Sequence, residues 1–235
     1  MSSTQAKTTI QKENHTKDQW TAVDHYIGDL LVQHDPALDA ALEASTVAGL
    51  PAIQVSPTQG KLLHLLALSH GARNILELGT LGGYSTIWLA RALPADGRLI
   101  TLEADAKHAE VARANIARAG LASVVELRLG RAQETLPNLA AEKREPFDFI
   151  FIDADKTGYP EYFTWALKLS RPGTMIIADN VVRKGAVVDG SSSDADVQGV
   201  RRFYELVARE PRVSATAIQT VGSKGYDGFA MVVVK

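Results

Sequence analysis

Two apolar runs end in side chains that could hold a cation. "FDFIFIDADK" (147–156) delivers Asp153, Asp155 and Lys156 directly after its apolar stretch. "TMIIADN" (174–180) ends in Asp179 and Asn180, 26 residues after Asp153. Two carboxylates and one amide oxygen, with no His or Cys among them, form a hard oxygen donor set. Such a set suits magnesium first, with manganese or calcium as alternatives, and water in the remaining positions. Each acid alone has a plainer role, capping the next helix or ending its strand by solvation. Lys156 alone could be a surface ion-pair partner of Asp155.

A second constellation lies upstream. "ILELGTLGGYST" (75–86) reads as a strand, a glycine turn and a helix start. Backbone amides at such a helix start attract anionic or carboxylate groups. Gly79, Gly82 and Gly83 do not satisfy G-x-G-x-x-G, the dinucleotide spacing. Glu77, two residues before the turn, would repel a pyrophosphate and welcome an ammonium group. Glu103 closes the next apolar run, 24 residues after Gly79, where an acid can take both ribose hydroxyls. The glycines alone could be turn chemistry, and Glu103 alone a strand-end acid. Together they favour a nucleoside with an amino-acid head group and no phosphates, which is S-adenosylmethionine rather than NAD.

The elements that must position these residues follow from periodicity. Residues 18–34 carry Trp20, Val23, Tyr26, Ile27, Leu30 and Leu31 at helical spacing. A short helix is expected after Pro36, and another from Ser56-Pro57 to Gly71. Short apolar or β-rich runs then occupy 74–79, 98–104, 124–130, 147–153 and 174–180. Helical segments lie between them, at 83–93, 106–119, 131–143 and 158–170. Strands alternating with helices predict a parallel sheet covered on both faces. In such a sheet ligands bind outside the carboxyl ends of the strands, where Asp153, Asp179 and Asn180 fall. A Gly/Ser-rich polar loop is expected at 181–196, then a helix at 197–209. Two late strands, separated only by "VGSKGYDG", should pair antiparallel.

Composition narrows the class. A 235-residue chain that is 46% hydrophobic and 22% charged can bury a sizeable core as one α/β domain. The expected organisation is a flexible polar arm at 1–17 and a single domain at 18–235. A net charge of −2 argues against nucleic acid as a partner. No apolar run approaches the length of a membrane span, and no signal core precedes the domain. The chain has no cysteine, so disulfides and thiolate metal sites are excluded. A cytoplasmic location is expected.

The motifs "LELGTLGGYS", "TLEAD", "GRAQETLP", "FIDADKTGY" and "ADNVV" together resemble the cation-dependent O-methyltransferases, among them caffeoyl-CoA O-methyltransferase and, more distantly, catechol O-methyltransferase. The resemblance runs from about residue 50 to the C-terminus. It implies a Rossmann-like S-adenosylmethionine-dependent methyltransferase fold, with a mostly parallel seven-stranded sheet, helices on both faces and an antiparallel C-terminal strand. It implies metal ligation by Asp153, Asp179 and Asn180, and catalysis by Lys156. Glu77, Gly79, Thr80, Tyr84 and Ser85 would line the methionine end of the cofactor, with Val55 nearby. Glu103 would bind the ribose, and Ala132 and Gln133 would border the adenine. Asp153 would face metal, cofactor and acceptor together. Asp155 would support or cap. Homodimers are frequent in the family, and the N-terminal helices could supply the interface.

The implied acceptor is a small aromatic vicinal diol, catechol-like or hydroxycinnamoyl-like. Its hydroxyl would attack the sulfonium methyl while Lys156 takes the proton. Neighbouring positive charge and burial would favour the neutral amine that this requires. Many relatives carry an aromatic residue shortly after "DN", whereas this chain has Arg183 and Lys184. Arg183 is therefore a candidate acceptor contact, its plain alternative being a solvated loop arginine. A non-catalytic S-adenosylmethionine-binding protein and a methyltransferase for another acceptor class are the competing readings.

Overall fold

The computed structural model describes the backbone of residues 3–235 and side chains from residue 16 onward. Of the expected arm at 1–17, residues 1 and 2 and the side chains of 3–15 lie outside the described residues. The first helix, α1 (Ser3–Leu31), begins well before the expected Asp18. It is followed by α2 (Pro36–Val47) and α3 (Pro57–Ser69). Both start as their sequences suggest, with Pro at the first turn. Asp35 accepts from the Ala37 amide, and the Ser56 hydroxyl accepts from the Gln59 amide.

Strands and helices then alternate. They are β1 (Asn74–Leu78), α4 (Tyr84–Ala90), β2 (Arg98–Glu103), α5 (Ala106–Arg118), β3 (Val125–Leu129), α6 (Ala132–Ala141), β4 (Phe147–Ile152), α7 (Tyr159–Lys168) and β5 (Ser170–Asp179). The chain ends with α8 (Ala195–Arg209), β6 (Val213–Gly222) and β7 (Gly225–Val234). The seven strands lie in the order β3-β2-β1-β4-β5-β7-β6. The first five are mutually parallel, and β7 runs antiparallel to both β5 and β6. The final hairpin is longer than its sequence suggests. Only Ser223 and Lys224 separate the two strands, so most of "VGSKGYDG" is itself strand. The loop at 181–196 is also more ordered in form than expected, with 3-10 turns at Arg183–Val188.

Side-chain alternation covers both faces. Along β4, Ile150 and Ile152 join the core that also contains Leu136, Phe163 and Phe203, from the helices of one face. Phe149 and Phe151 point the other way, into the core with Leu38, Leu63 and Ile87. Period-two projection from one strand into two apolar layers is what keeps a parallel sheet dry on both sides. Among the described residues, no helix is long and apolar enough to cross a membrane.

Candidate active site

β1 and β4 are neighbours, as are β4 and β5, so their carboxyl ends meet at one edge of the sheet. Ile152 pairs with Ala178, which sets Asp153 beside Asp179 at the strand ends. Gly79, just past β1, permits this crowding. Its φ is +92°, and a Cβ there would collide with the backbone carbonyl of Asp153. A cavity of about 860 Å³ opens above these ends. Val55, Gly79, Thr80, Tyr84, Ser85, Glu103, Ala132, Gln133, Asp153, Lys156, Asn180 and Arg183 all line it. Twelve of the fourteen residues proposed from sequence are thus brought to one wall or another of a single space. Glu77 and Asp179 lie behind its surface.

Glu103 shows why the glycine turn does not read as a phosphate cradle. Its Oε2 accepts from the amides of Thr80 (3.1 Å) and Leu81 (2.8 Å), and its Oε1 from the amide of Asp105 (2.9 Å). The turn's free N–H groups, expected to face the ligand, are thus taken by a protein carboxylate. An anion approaching there meets negative charge, whereas hydroxyl donors meet a fixed acceptor with spare lone pairs. His108 also lines this end, with Nδ1 3.7 Å from Glu103 Oε1.

Glu77 is fully buried, and three hydroxyls donate to it: Ser85 (2.6 Å), Thr101 (2.7 Å) and Thr86. Burial raises its carboxyl from the ordinary range to about 7, against the opposing pull of those hydroxyls. Ser85 therefore stands between Glu77 and the cavity. Ser85 lines the cavity and Glu77 does not, so Glu77 faces that space through the Ser85 hydroxyl.

Lys156 is 6% exposed, so the surface ion-pair role does not describe it. A 3-10 turn, Lys156–Gly158, carries it, and α8 presses against that turn at Gly199, where a Cβ would strike the Lys156 carbonyl. Its Nζ donates to Asp153 Oδ1 (2.8 Å), the Ala154 carbonyl (3.1 Å) and the Tyr159 hydroxyl (2.8 Å). Asp155 is not its partner. That carboxylate accepts from the Gly158 amide, as a cap, and from Tyr162, whose hydroxyl also accepts from Gln133.

Asp179 is 4% exposed. Its Oδ2 accepts from Gln59 Nε2 (2.7 Å), and its Oδ1 from the Asn180 amide (2.8 Å). Burial first, then the Asp153 carboxylate, raise it to about 7. Asn180 has φ +55°, in the left-handed region, and contributes to the cavity wall. Among the described residues no three His, Cys, Asp or Glu side chains converge as a metal site. The set here has only two acids and an amide.

Arg183 is half-buried rather than solvated. Its Nη2 pairs with Asp196 on α8 (3.1 Å), and its Nε is buried without a protein partner. Asp227 on β7 accepts the amides of Val182 and Arg183, at 3.0 Å each, and so supports the left-handed backbone of Arg183. Gln59 and Tyr159, not singled out from sequence, also hold the site. Tyr159 had one available signal, its place one helical turn after Lys156. Gln59, 120 positions from Asp179, had none.

The family model for O-methyltransferases matches residues 31–232. A catechol O-methyltransferase of Niastella koreensis is 60% identical over 214 residues, covering 91% of this chain and 97% of that protein. The crystal structure of the Bacillus cereus O-methyltransferase in complex with SAH is 64% identical, with a TM-score of 0.92, covering 93% of this chain and 99% of that one. The Streptomyces achromogenes O-methyltransferase TomG, involved in tomaymycin synthesis and crystallised with SAM, is 55% identical, with a TM-score of 0.91 over 93% of this chain and 98% of that one. The sheet order, the glycine turn closed by Glu103 and the paired strand-end acids occur in a chain matched along most of its length. It belongs to the O-methyltransferase family.

Proposed function

We propose that the chain transfers the methyl group of S-adenosylmethionine to one hydroxyl of a small aromatic vicinal diol. The observation that carries this reading is the convergence of Glu103, Asp153, Lys156, Asn180 and Arg183 on one cavity. The relatives crystallised with SAM or SAH support the cofactor, and the Niastella relative named for catechol supports the diol. Glu103 takes the ribose hydroxyls, and Ala132 and Gln133 flank the adenine. Gly79, Thr80, Tyr84, Ser85 and Val55 surround the methionine end. The acceptor oxygen attacks the methyl carbon, the S–CH3 bond breaks, its electron pair stays on sulfur, and the hydroxyl proton passes to the lone pair of Lys156 Nζ in its neutral form, which restores the ammonium. Holding the two reactants in one orientation is itself a large part of the acceleration.

Asp153, Asp179 and Asn180 would hold a divalent cation, magnesium or manganese with calcium as the third choice. The donors fit it. Burial and, after it, the neighbouring Asp153 carboxylate push Asp179 upward, and a cation would relieve that repulsion. When bound, it would supply positive charge that stabilises the ionised diol. Gln59 holds Asp179 and Lys156 holds Asp153.

Glu103→Ala is expected to weaken S-adenosylmethionine binding roughly 10- to 150-fold, the range for losing a hydrogen bond to a charged group. Calorimetry checks this, and an unchanged dissociation constant would remove Glu103 from the cofactor site. Arg183→Ala is expected to leave cofactor affinity alone and shift acceptor preference. The ratio of kcat/KM between a carboxylate-bearing diol and neutral catechol should fall about tenfold. An unchanged ratio would make Arg183 a loop support only.

A second copy of the chain is the partner we propose for the apolar side. Val23, Tyr26, Ile27 and Leu30 form an exposed stripe on α1, and Leu65, Leu68, Ile218 and Val221 are exposed on α3 and β6. Asp24 on α1 accepts from Thr58 on α3 and from Ser223 in the turn just after β6. Patches of this kind are uncommon on monomers. Sedimentation at micromolar concentration showing only monomer would refute the dimer.

A further inference from the structure

We infer that Tyr159 is a positioning residue for methyl transfer: its buried hydroxyl joins the Lys156 amine to the ends of the two strands that present Asp153 and Asp179. The inference rests on the O-methyltransferase reading above, with Lys156 at the reacting hydroxyl.

Tyr159 opens α7 and has no exposed surface. Its ring meets Phe203 edge-on, with centroids 5.9 Å apart, and leans on Tyr162 at 6.4 Å. Packing alone would be served as well by phenylalanine. The hydroxyl does something else. It lies 3.0 Å from the Ile152 carbonyl and 2.8 Å from the Asp179 carbonyl, and it accepts from Lys156 Nζ at 2.8 Å. One hydroxyl has one hydrogen and two lone pairs. It can therefore donate to one strand end at a time while holding the amine in either case.

The geometry matters because lysine has a long, flexible stem. Three acceptors hold Nζ: Asp153 Oδ1, the Ala154 carbonyl and Tyr159. All three lie within three residues of Lys156 in the chain, but Tyr159 differs in that its hydroxyl also reaches β5, at the carbonyl of Asp179. An ordinary phenol, with a pKa of about 10, is already a neutral hydroxyl at physiological pH. Loss of the Tyr159 hydroxyl would leave Nζ held only by Asp153 and the Ala154 carbonyl, and leave the β4 and β5 ends without their shared donor.

The test is a double-mutant cycle of Tyr159→Phe and Lys156→Ala, read by single-turnover methylation of catechol with S-adenosylmethionine and magnesium. Tyr159→Phe is expected to slow transfer roughly 10- to 100-fold, with cofactor affinity within about twofold of the native protein. In the Lys156→Ala background the same change should cost less than about threefold, because the partner it positions is gone. Equal losses in both backgrounds, or an unchanged rate in the native background, would overturn the inference. A crystal structure of Tyr159→Phe gives a readout independent of activity. Lys156 Nζ is expected to leave Asp153 or to split between conformers, and an unmoved Nζ would count against the role. If the native protein methylates no vicinal diol, the parent reading fails while this structural comparison still decides on Tyr159. Should Tyr159→Phe not fold, 4-fluorophenylalanine at position 159 fills the hydroxyl's space without donating, and the same outcomes apply.

Discussion

Lys156→Ala is expected to lower single-turnover methyl transfer by about 10²–10⁴-fold, the usual cost of losing a general base. S-adenosylmethionine affinity should stay nearly intact, because Lys156 contacts Asp153, whereas the proposed cofactor contacts lie at Glu103 and the β1–α4 turn. Lys156→Arg separates proton acceptance from charge. A guanidinium remains protonated and has no lone pair to offer, so it should rescue poorly if the amine takes the proton. If only positive charge beside Asp153 matters, arginine should substitute well. Near-native turnover by the arginine variant at neutral pH would rule out the base assignment.

Removing divalent cations is expected to have an effect of similar size. Asp153 and Asp179 stand at adjacent strand ends, and Asp179 is almost wholly enclosed. Two carboxylates in that setting are mutually unfavourable unless positive charge is shared between them. A cation of this kind contributes several kcal/mol to a developing oxyanion, so chelation should slow turnover on the order of 10³-fold. Magnesium or manganese should restore it. Full turnover in excess EDTA, with metal content measured as nil, would refute the cation's role. Asp179→Asn offers a second arm. The amide oxygen can keep the Asn180 contact, and a flipped Gln59 amide can accept from the new NH2 group, so the fold should survive while metal affinity falls.

Much of this site is legible in the sequence because it depends on strand ends. Apolar runs of five or six residues bounded by Gly and polar turns specify a parallel sheet. A parallel sheet places every strand's last residue on one edge, so Glu103, Asp153 and Asp179 could be gathered before any coordinates. Side-chain direction is less legible. Glu77 is in the right strand, but which hydroxyls surround it depends on Thr101 of β2 and on Ser85 and Thr86 of α4. The turn amides at Thr80 and Leu81 looked free because their acceptor, Glu103, lies 22 and more positions away. Gln59 escaped for the same reason, since long-range hydrogen bonds leave no local pattern. The final hairpin was misread at "VGSKGYDG" because Gly and polar residues also occur in strands whose partner supplies the backbone bonds.

The central claim is methyl transfer from S-adenosylmethionine to a vicinal diol. It is tested most directly by incubating the protein with magnesium, trideuteromethyl-labelled S-adenosylmethionine and catechol, and analysing the products by mass spectrometry. The expected result is a labelled mono-methyl ether of catechol, formed with one equivalent of S-adenosylhomocysteine, and no transfer to phenol, which lacks the second oxygen. Transfer to phenol or to an amine at rates matching catechol, or no labelled ether from any vicinal diol while the cofactor binds, would contradict it.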